Sequence, residues 1–402
     1  MTLIGKLGGT AFVFSSLGHV LFHVLTALYL MIVLTIEKLW QTPYDELIGL
    51  WTLGALLMGA GAPLAGWLSD RWGESRLMTV YFLGIGAATM TCGLAPDGLF
   101  LEFALAALGL FGAIYHPVGT AWVTKHARLK GKAMALLGIF GVFGAAMASL
   151  IAGALIDVWN WRVAFMAPGA VAIVVGIVLG FACLTGRIED VHGDVQLEPE
   201  PAMADVRRAL VALVAAMSLT TVVYYAFTTV LPKWIDQAIG AEVDGGMLGV
   251  GVVVSGIYLV GGAAQLGGGH LADRGRAKAV YVASYGLKCA ALLAAVAAGG
   301  WWTVAAAIAI VLMFDLAAPV ENILIARFTS SARRGLAFGI RNGVAIAAGP
   351  LGIQLVAWLW DGRNRQESFF VVLALIVLVI VIAAAFLPSN RRGKLRSGAP
   401  AP

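Results

Sequence analysis

A chain of 402 residues that is 60% hydrophobic and only 12% charged, with a mean hydropathy of +0.89, lacks the composition of a soluble globular domain. Its net charge of +5 is no nucleic-acid footprint: roughly 20 of the Lys and Arg fall on one side of a membrane threaded by the apolar runs, about 5 on the other and about 2 within it. Nucleic acid is therefore not an expected partner; a lipid bilayer is.

In chain order the apolar segments fall at about 9–35, 47–68, 77–95, 99–124, 132–157 and 161–184, then 209–232, 247–269, 279–299, 302–327, 336–360 and 368–387. Each is continuously apolar over the roughly 20 residues that a helix needs to cross a hydrocarbon core, without the alternation of barrel strands. The first is too long for a signal peptide and is followed by no small-residue cleavage site, so it reads as a span. The 50 glycines suit close helix packing in lipid. Basic residues gather on the side holding Lys6, Arg71, Lys125, Arg128, Lys130, Lys132, Arg207, Arg208, Arg333, Arg334, Arg391 and Arg392. That side, with both termini, is expected to be cytoplasmic. Between the sixth and seventh segments, Thr185 to Val206 is acidic and Pro-containing, and reads as a linker. The expected fold class is an all-α polytopic membrane protein of twelve transmembrane helices. It divides into an N-terminal six-helix bundle over 1–184, a cytoplasmic linker over 185–206, a C-terminal six-helix bundle over 207–388 and a basic cytoplasmic tail over 389–402.

The two halves share landmarks. Gly66-Trp67-Leu68-Ser69-Asp70-Arg71-Trp72-Gly73-Glu74-Ser75-Arg76 follows the second span, and Gly269-His270-Leu271-Ala272-Asp273-Arg274-Gly275-Arg276-Ala277-Lys278 follows the eighth. Pro117 late in the fourth span matches Pro319 late in the tenth, and the basic loop Lys125–Lys132 matches Arg327–Arg334. Gly131 likewise matches Gly335. Duplication in a polytopic membrane protein points to a secondary transporter. Gly66 and Gly269 allow close approach of a neighbouring helix, Gly73 and Gly275 a tight bend. Asp70 and Asp273 stand where a carboxylate can bond a helix N-terminus or a basic loop across the two halves.

This paired turn resembles the loop between the second and third helices of the major facilitator superfamily. Ser16-Leu17-Gly18-His19, Ala27-Leu28-Tyr29-Leu30 and Tyr115-His116-Pro117 resemble its fosmidomycin-resistance type of efflux protein. The chain departs from these patterns in three places. Glu74-Ser75 stands where basic residues are usual, Val20-Leu21-Phe22-His23 replaces an Asn-Asp pair, and the fifth helix lacks the Gly-Pro of many antiporters. The resemblance implies a monomer in the cytoplasmic (inner) membrane of a bacterium, with two bundles rocking about a cavity lined by helices 1, 4, 7 and 10. It also implies a conformational gate at Gly66, Asp70, Arg71, Gly73, Arg76, Asp273 and Arg274.

Ionisable side chains at membrane depth are functional candidates. His19 and His23 lie one turn apart on one helix face. Counted at the helical rise, His19 is roughly 16 Å and His116 roughly 14 Å from the cytoplasmic end, so the two can share a level. Imidazole exchanges a proton near neutral pH, which suits proton coupling. Lys288 and Asp315 come to roughly 15 and 18 Å, and Glu321 and Arg341 both to roughly 9 Å, which makes each a possible ion pair. Such pairs serve either as static glue or, where a carboxylate exchanges its cation for a proton, as a coupling switch. Tyr115, Tyr224 and Tyr225 could stack on a substrate or simply pack. Trp301, Trp302, Trp358 and Trp360 sit near span ends as interface anchors. Cys92, Cys183 and Cys289 are isolated and read as small buried hydrophobes.

No phosphate-binding Gly-rich loop, His-Glu-x-x-His, Cys-x-x-Cys or Gly-x-Ser-x-Gly occurs, so neither an ATPase of that type nor an enzyme is expected, and no cofactor. His19 and His23 have a metal spacing on a helix, but with no third ligand near them in sequence metal binding is not expected. The expected function is proton-driven export of a small amphiphilic or anionic compound. His19, His23, Tyr115, His116, Tyr224, Lys288 and Arg341 are the candidate substrate contacts; Asp315 or Glu321 would carry the proton. Uptake of a metabolite, or a non-transporting receptor built on the same bundle, are the alternatives.

Overall fold

The computed structural model describes residues 2–188, 204–271, 274, 276–328, 348–360 and 366–385. Six long helices form the first half: α1 (Thr10–Trp40), α2 (Trp51–Trp72), α3 (Glu74–Cys92), α4 (Gly98–His126), α5 (Lys130–Val158) and α6 (Trp161–Leu184). The second half repeats the series as α7 (Ala204–Ile239), α8 (Gly246–Leu271), α9 (Ala277–Ala295), α10 (Trp301–Phe328), α11 (Ala348–Leu359) and α12 (Gln366–Ala385). Among the described residues nine helices are long and apolar enough to cross a membrane; α3, α9 and the short described part of α11 complete the two sets of six. Short helices Leu3–Leu7 and Tyr44–Gly49 precede α1 and α2. Two boundaries differ most from the sequence reading. α1 continues to Trp40, and α7 begins at Ala204, inside the segment read as linker. Residues 189–203 of that linker, the basic tail and the start of the eleventh span lie outside the described residues.

The duplication is visible in the packing. A Cβ placed on Gly66 of α2 would lie 3.7 Å from Cβ of Pro117 on α4, and one on Gly269 of α8 would lie 4.0 Å from Cβ of Pro319 on α10. The same glycine–proline contact thus closes the same helix crossing in each half. Further along, Gly109 of α4 meets the backbone of Gly54 on α2 so closely that a Cβ would fall 1.9 Å from the Gly54 carbonyl oxygen.

Polar contacts tie the two halves together at the end away from the termini. Lys233 of α7 pairs with Glu37 of α1, Lys38 lies 3.9 Å from Asp236, and the Tyr44 hydroxyl donates to the Thr229 carbonyl at 3.0 Å. Asp157 at the end of α5 accepts from the backbone N–H of Met247 (3.2 Å) and Leu248 (2.6 Å), in the first turn of α8. A carboxylate of the first half therefore supplies the N-terminal cap of a helix in the second.

At the lipid-facing ends, Trp301, Trp302 and Trp358 are exposed, as interface anchors require. Trp360 is not an anchor. It is buried against Phe369 and Phe370, because two residues along a helix from Trp358 face nearly the opposite way.

Candidate functional site

Pro117 sets the geometry of the first half of the site. Lacking an N–H, it cannot bond the carbonyl of Ala113, and α4 breaks into Gly98–Gly112 and Tyr115–His126 around Ala113 and Ile114. The break delivers Tyr115 and His116 against α1, where the His19 and His116 ring centroids stand 5.5 Å apart and those of His23 and His116 5.9 Å apart. The two α1 histidines are joined directly, Nε2 to Nε2, at 3.2 Å. His19 Nδ1 lies 2.7 Å from the carbonyl of Leu137 on α5, to which it donates. In the neutral ring that bond leaves the His19 Nε2 lone pair to accept from His23 Nε2–H. Gly141 of α5 makes room for the arrangement, since a Cβ there would be 2.5 Å from His19 Cε1. The nitrogens of His19, His23 and His116 all lie within 4.8 Å of one another, so the third ligand that the sequence did not reveal is supplied by α4.

Beside this cluster, between the halves, is a cavity of about 130 Å³. From the first half it is lined by His23, Thr26, Trp51 and His116, and from the second by Tyr224, Tyr225, Thr228 and Tyr258. No carboxylate lines it among the described residues. A smaller recess of about 30 Å³ shares Ala145, Tyr224, Thr228 and Tyr258 with the main chamber and reaches Asp315 on α10. Asp315 Oδ1 accepts from Gln265 Nε2 of α8 at 2.7 Å. Pro319 follows Asp315 by four residues, so the Asp315 carbonyl also lacks its helical donor.

Behind the recess, α9 and α10 enclose a second polar network. Lys288 is wholly buried, its Nζ 3.6 Å from the ring centroid of Phe314 and 4.0 Å from that of Tyr285. Glu321, also buried, accepts from the hydroxyl of Tyr285 and, at 3.4 Å, from that of Tyr281. Thr220 of α7 hydrogen-bonds the Tyr285 hydroxyl at 2.7 Å.

Several sequence expectations are placed differently by this geometry. Tyr115 does not face the cavity. It is fully buried, its hydroxyl donates to the Ser15 carbonyl at 2.8 Å, and its ring backs His19 and Phe22, so it supports the site from behind. His19 likewise stands behind His23 rather than among the lining residues. The expected Lys288–Asp315 ion pair is absent: Lys288 Nζ has no hydrogen-bond partner among the described residues, and the two aromatic rings hold the ammonium instead. It still lies within electrostatic reach of both Asp315 and Glu321. Arg341, the expected partner of Glu321, lies outside the described residues.

At the gate, Asp70 is exposed and makes no hydrogen bond or ion pair among the described residues, and Arg71 lies 3.6 Å over its own helix's Trp67 ring. The carboxylate that is engaged is Glu74, buried and paired with Lys125 at the end of α4. Gly73 adopts φ +89°, which makes the bend between α2 and α3 a glycine position. Arg76 and Arg274 are exposed; Asp273 lies outside the described residues. Glu74 could have been found in the sequence as the acidic residue opening α3 and facing a basic loop, a signal hidden by the more regular Asp70-Arg71 beside it.

Two duplicated helical bundles enclosing a polar cavity at their interface define a multi-pass helical membrane protein. The Major Facilitator Superfamily model matches residues 15–250 and 237–401, and the chain belongs to that family. Among solved structures it is similar to a bacterial homologue of the human lysosomal transporter Spinster in an inward-facing, occupied conformation (TM-score 0.75, 15% identity, covering 96% of this chain and 97% of that one). A peptide transporter, POT, in complex with sulfate has the same fold (TM-score 0.72, 14% identity, 94% of each chain). The niacin transporter NiaP of Acinetobacter baylyi is 28% identical over 205 residues, 48% of this chain and 46% of that protein. A multidrug resistance protein B homologue of Mycobacterium tuberculosis is 30% identical over 120 residues, 29% of this chain and 22% of that protein. The matched segment thus spans less than half the length of either curated relative.

Proposed function

We propose that the protein is a proton-coupled secondary transporter that exports a small anionic or amphiphilic solute by alternating access across the cytoplasmic membrane. The observation that carries this reading is the cavity between the halves, with His23 and His116 on one wall, Tyr224, Tyr225 and Thr228 on the other, and no lining carboxylate among the described residues. A wall that offers imidazole and hydroxyl groups without negative charge favours an anionic or neutral solute. A cavity of about 150 Å³ holds a benzene-sized molecule, so the 130 Å³ chamber suits a solute of about one ring. Asp315, at the end of the recess, and Glu321, held by two tyrosines, are the proton carriers in this reading, with Lys288 as the nearby positive charge. Rocking of the bundles would alternately close the end tied by Glu37–Lys233 and the end bearing the termini.

Proteoliposomes with an imposed pH gradient test this. Glu321→Gln is expected to abolish pH-driven solute movement while leaving solute counterflow intact; unchanged pH-driven movement would remove Glu321 from the proton path. Uptake is the second reading, favoured by the partial similarity to a niacin transporter. Sided assays in vesicles of known orientation decide between the two directions.

A further inference from the structure

We propose that His19, His23 and His116 form a binding site for one borderline divalent metal ion of the Zn²⁺, Ni²⁺ or Cu²⁺ class, with its fourth coordination position open to the central cavity. Neutral imidazole is the ligand these ions share. Two ligands 2.0–2.1 Å from a tetrahedral ion stand about 3.3 Å apart, and His19 Nε2 and His23 Nε2 are already 3.2 Å apart. A ring nitrogen of His116 lies within 4.8 Å of a ring nitrogen on each of the other two, so an inward movement of the His116 ring by about 1.5 Å closes the triad to the same spacing. Among the described residues the His116 ring lines the cavity and meets Phe22, His19 and His23 edge-on, so the shift repacks ring contacts at the cavity wall.

The support behind the site is that of a metal-ligating histidine. The Nδ1–H of His19 is held by a backbone carbonyl, which orients the ring and presents the Nε2 lone pair to an ion. A histidine pair serving only to bond α1 to α5 needs His19, His23 and Leu137; it gives no role to a third imidazole turned toward the pair from another helix. On binding, the His23 ring proton shifts from Nε2 to Nδ1, so all three ligands stay neutral and no proton is released. The ion keeps its full charge at a wall without carboxylates, and an exchangeable water or a solute anion completes the tetrahedron from the cavity side. Three protein ligands and one open position are the arrangement of a site that handles ligands, in contrast to a closed structural site.

Cobalt(II) reads the geometry directly, since a tetrahedral cobalt centre absorbs visible light far more strongly than a six-coordinate one. The full-length protein, freed of any affinity tag and held in detergent or nanodiscs, is titrated with Co²⁺ and then with Zn²⁺. One strongly absorbing Co²⁺ per chain, displaced by Zn²⁺, is the expected result. His116→Ala and His23→Ala are expected to weaken binding by at least about tenfold and to lose the intense band, as loss of metal support typically does. His270→Ala, at an exposed position at the end of α8, should change neither. A weak six-coordinate spectrum from the unaltered protein overturns the proposal, and that measurement needs no variant to fold. Retention of the intense band in both triad variants overturns it as well. The titration uses no transported solute, so it stands or falls separately from the transport reading.

Discussion

Lys288 shows what depth along a helix does and does not determine. The rise per residue placed His19 and His116 at one level, and the structure brings their rings to 5.5 Å, because both helices turn those faces toward each other. The same arithmetic placed Lys288 level with Asp315, yet the ammonium lies over Phe314 and Tyr285. Depth is legible from a count; azimuth is not, and an aromatic face buried in the same layer competes for a cation at about 2 kcal/mol when desolvated. Breaking a direct buried ion pair by removing one partner costs about 3–5 kcal/mol, with strong recovery in the double variant. With no direct contact here, a double-mutant cycle of Lys288→Met and Asp315→Asn, read by thermal or denaturant unfolding, should give a coupling energy below about 1 kcal/mol. A coupling of several kcal/mol would show that the two groups meet in the dominant state.

Helix-scale features were legible where composition dictates them. Continuous apolar runs predicted the spans, whereas the break of α4 before Pro117 was not legible, since Pro319 and Pro168 lie inside helices that run on unbroken. The glycines of α5 could be counted but not assigned. Gly141 accommodates His19, Gly144 meets the backbone of Val20, Gly153 meets that of Met247, and Gly138 has nothing within 4 Å. Four similar glycines thus have three different neighbours and one has none, a distinction that depends on which face each presents. The tightest crossing gives a test. Gly109→Ala puts a methyl group 1.9 Å from the Gly54 carbonyl oxygen, so α2 and α4 must separate. It is expected to lower stability by about 1–3 kcal/mol or more, seen as a lower melting temperature in detergent. Gly256→Ala, with open space around its Cβ position, should be neutral or slightly stabilising.

At the scale of the whole molecule, the duplication was readable because Gly66 and Pro117 recur as Gly269 and Pro319, each pair meeting in space. The closure between the halves was not readable, since Glu37 and Lys233 lie far apart in the chain and neither stands in a repeated motif. In the proposed alternating-access cycle that pair would hold one bundle arrangement and not the other, so its loss should shift their populations. Each 1.4 kcal/mol of differential stabilisation changes the ratio about tenfold. Lys233→Met is expected to widen the distance distribution between spin labels placed on α1 and α7 near that end. An unchanged distribution would mean that Tyr44 and the apolar packing hold the closure without the charge pair.

The bond from Asp157 to the first turn of α8 has a consequence for the cost of the opposite motion. If the bundles part at that end, as the proposed cycle requires, two amide groups lose their acceptor at once, and the leading turn of α8 must find water or unwind. In that cycle opening would be coupled to a local loosening of the second bundle, set by a residue of the first. A solute or ion that stabilises the parted form would have to repay that loss, which would make a single aspartate a tuning point for the balance between the two proposed states.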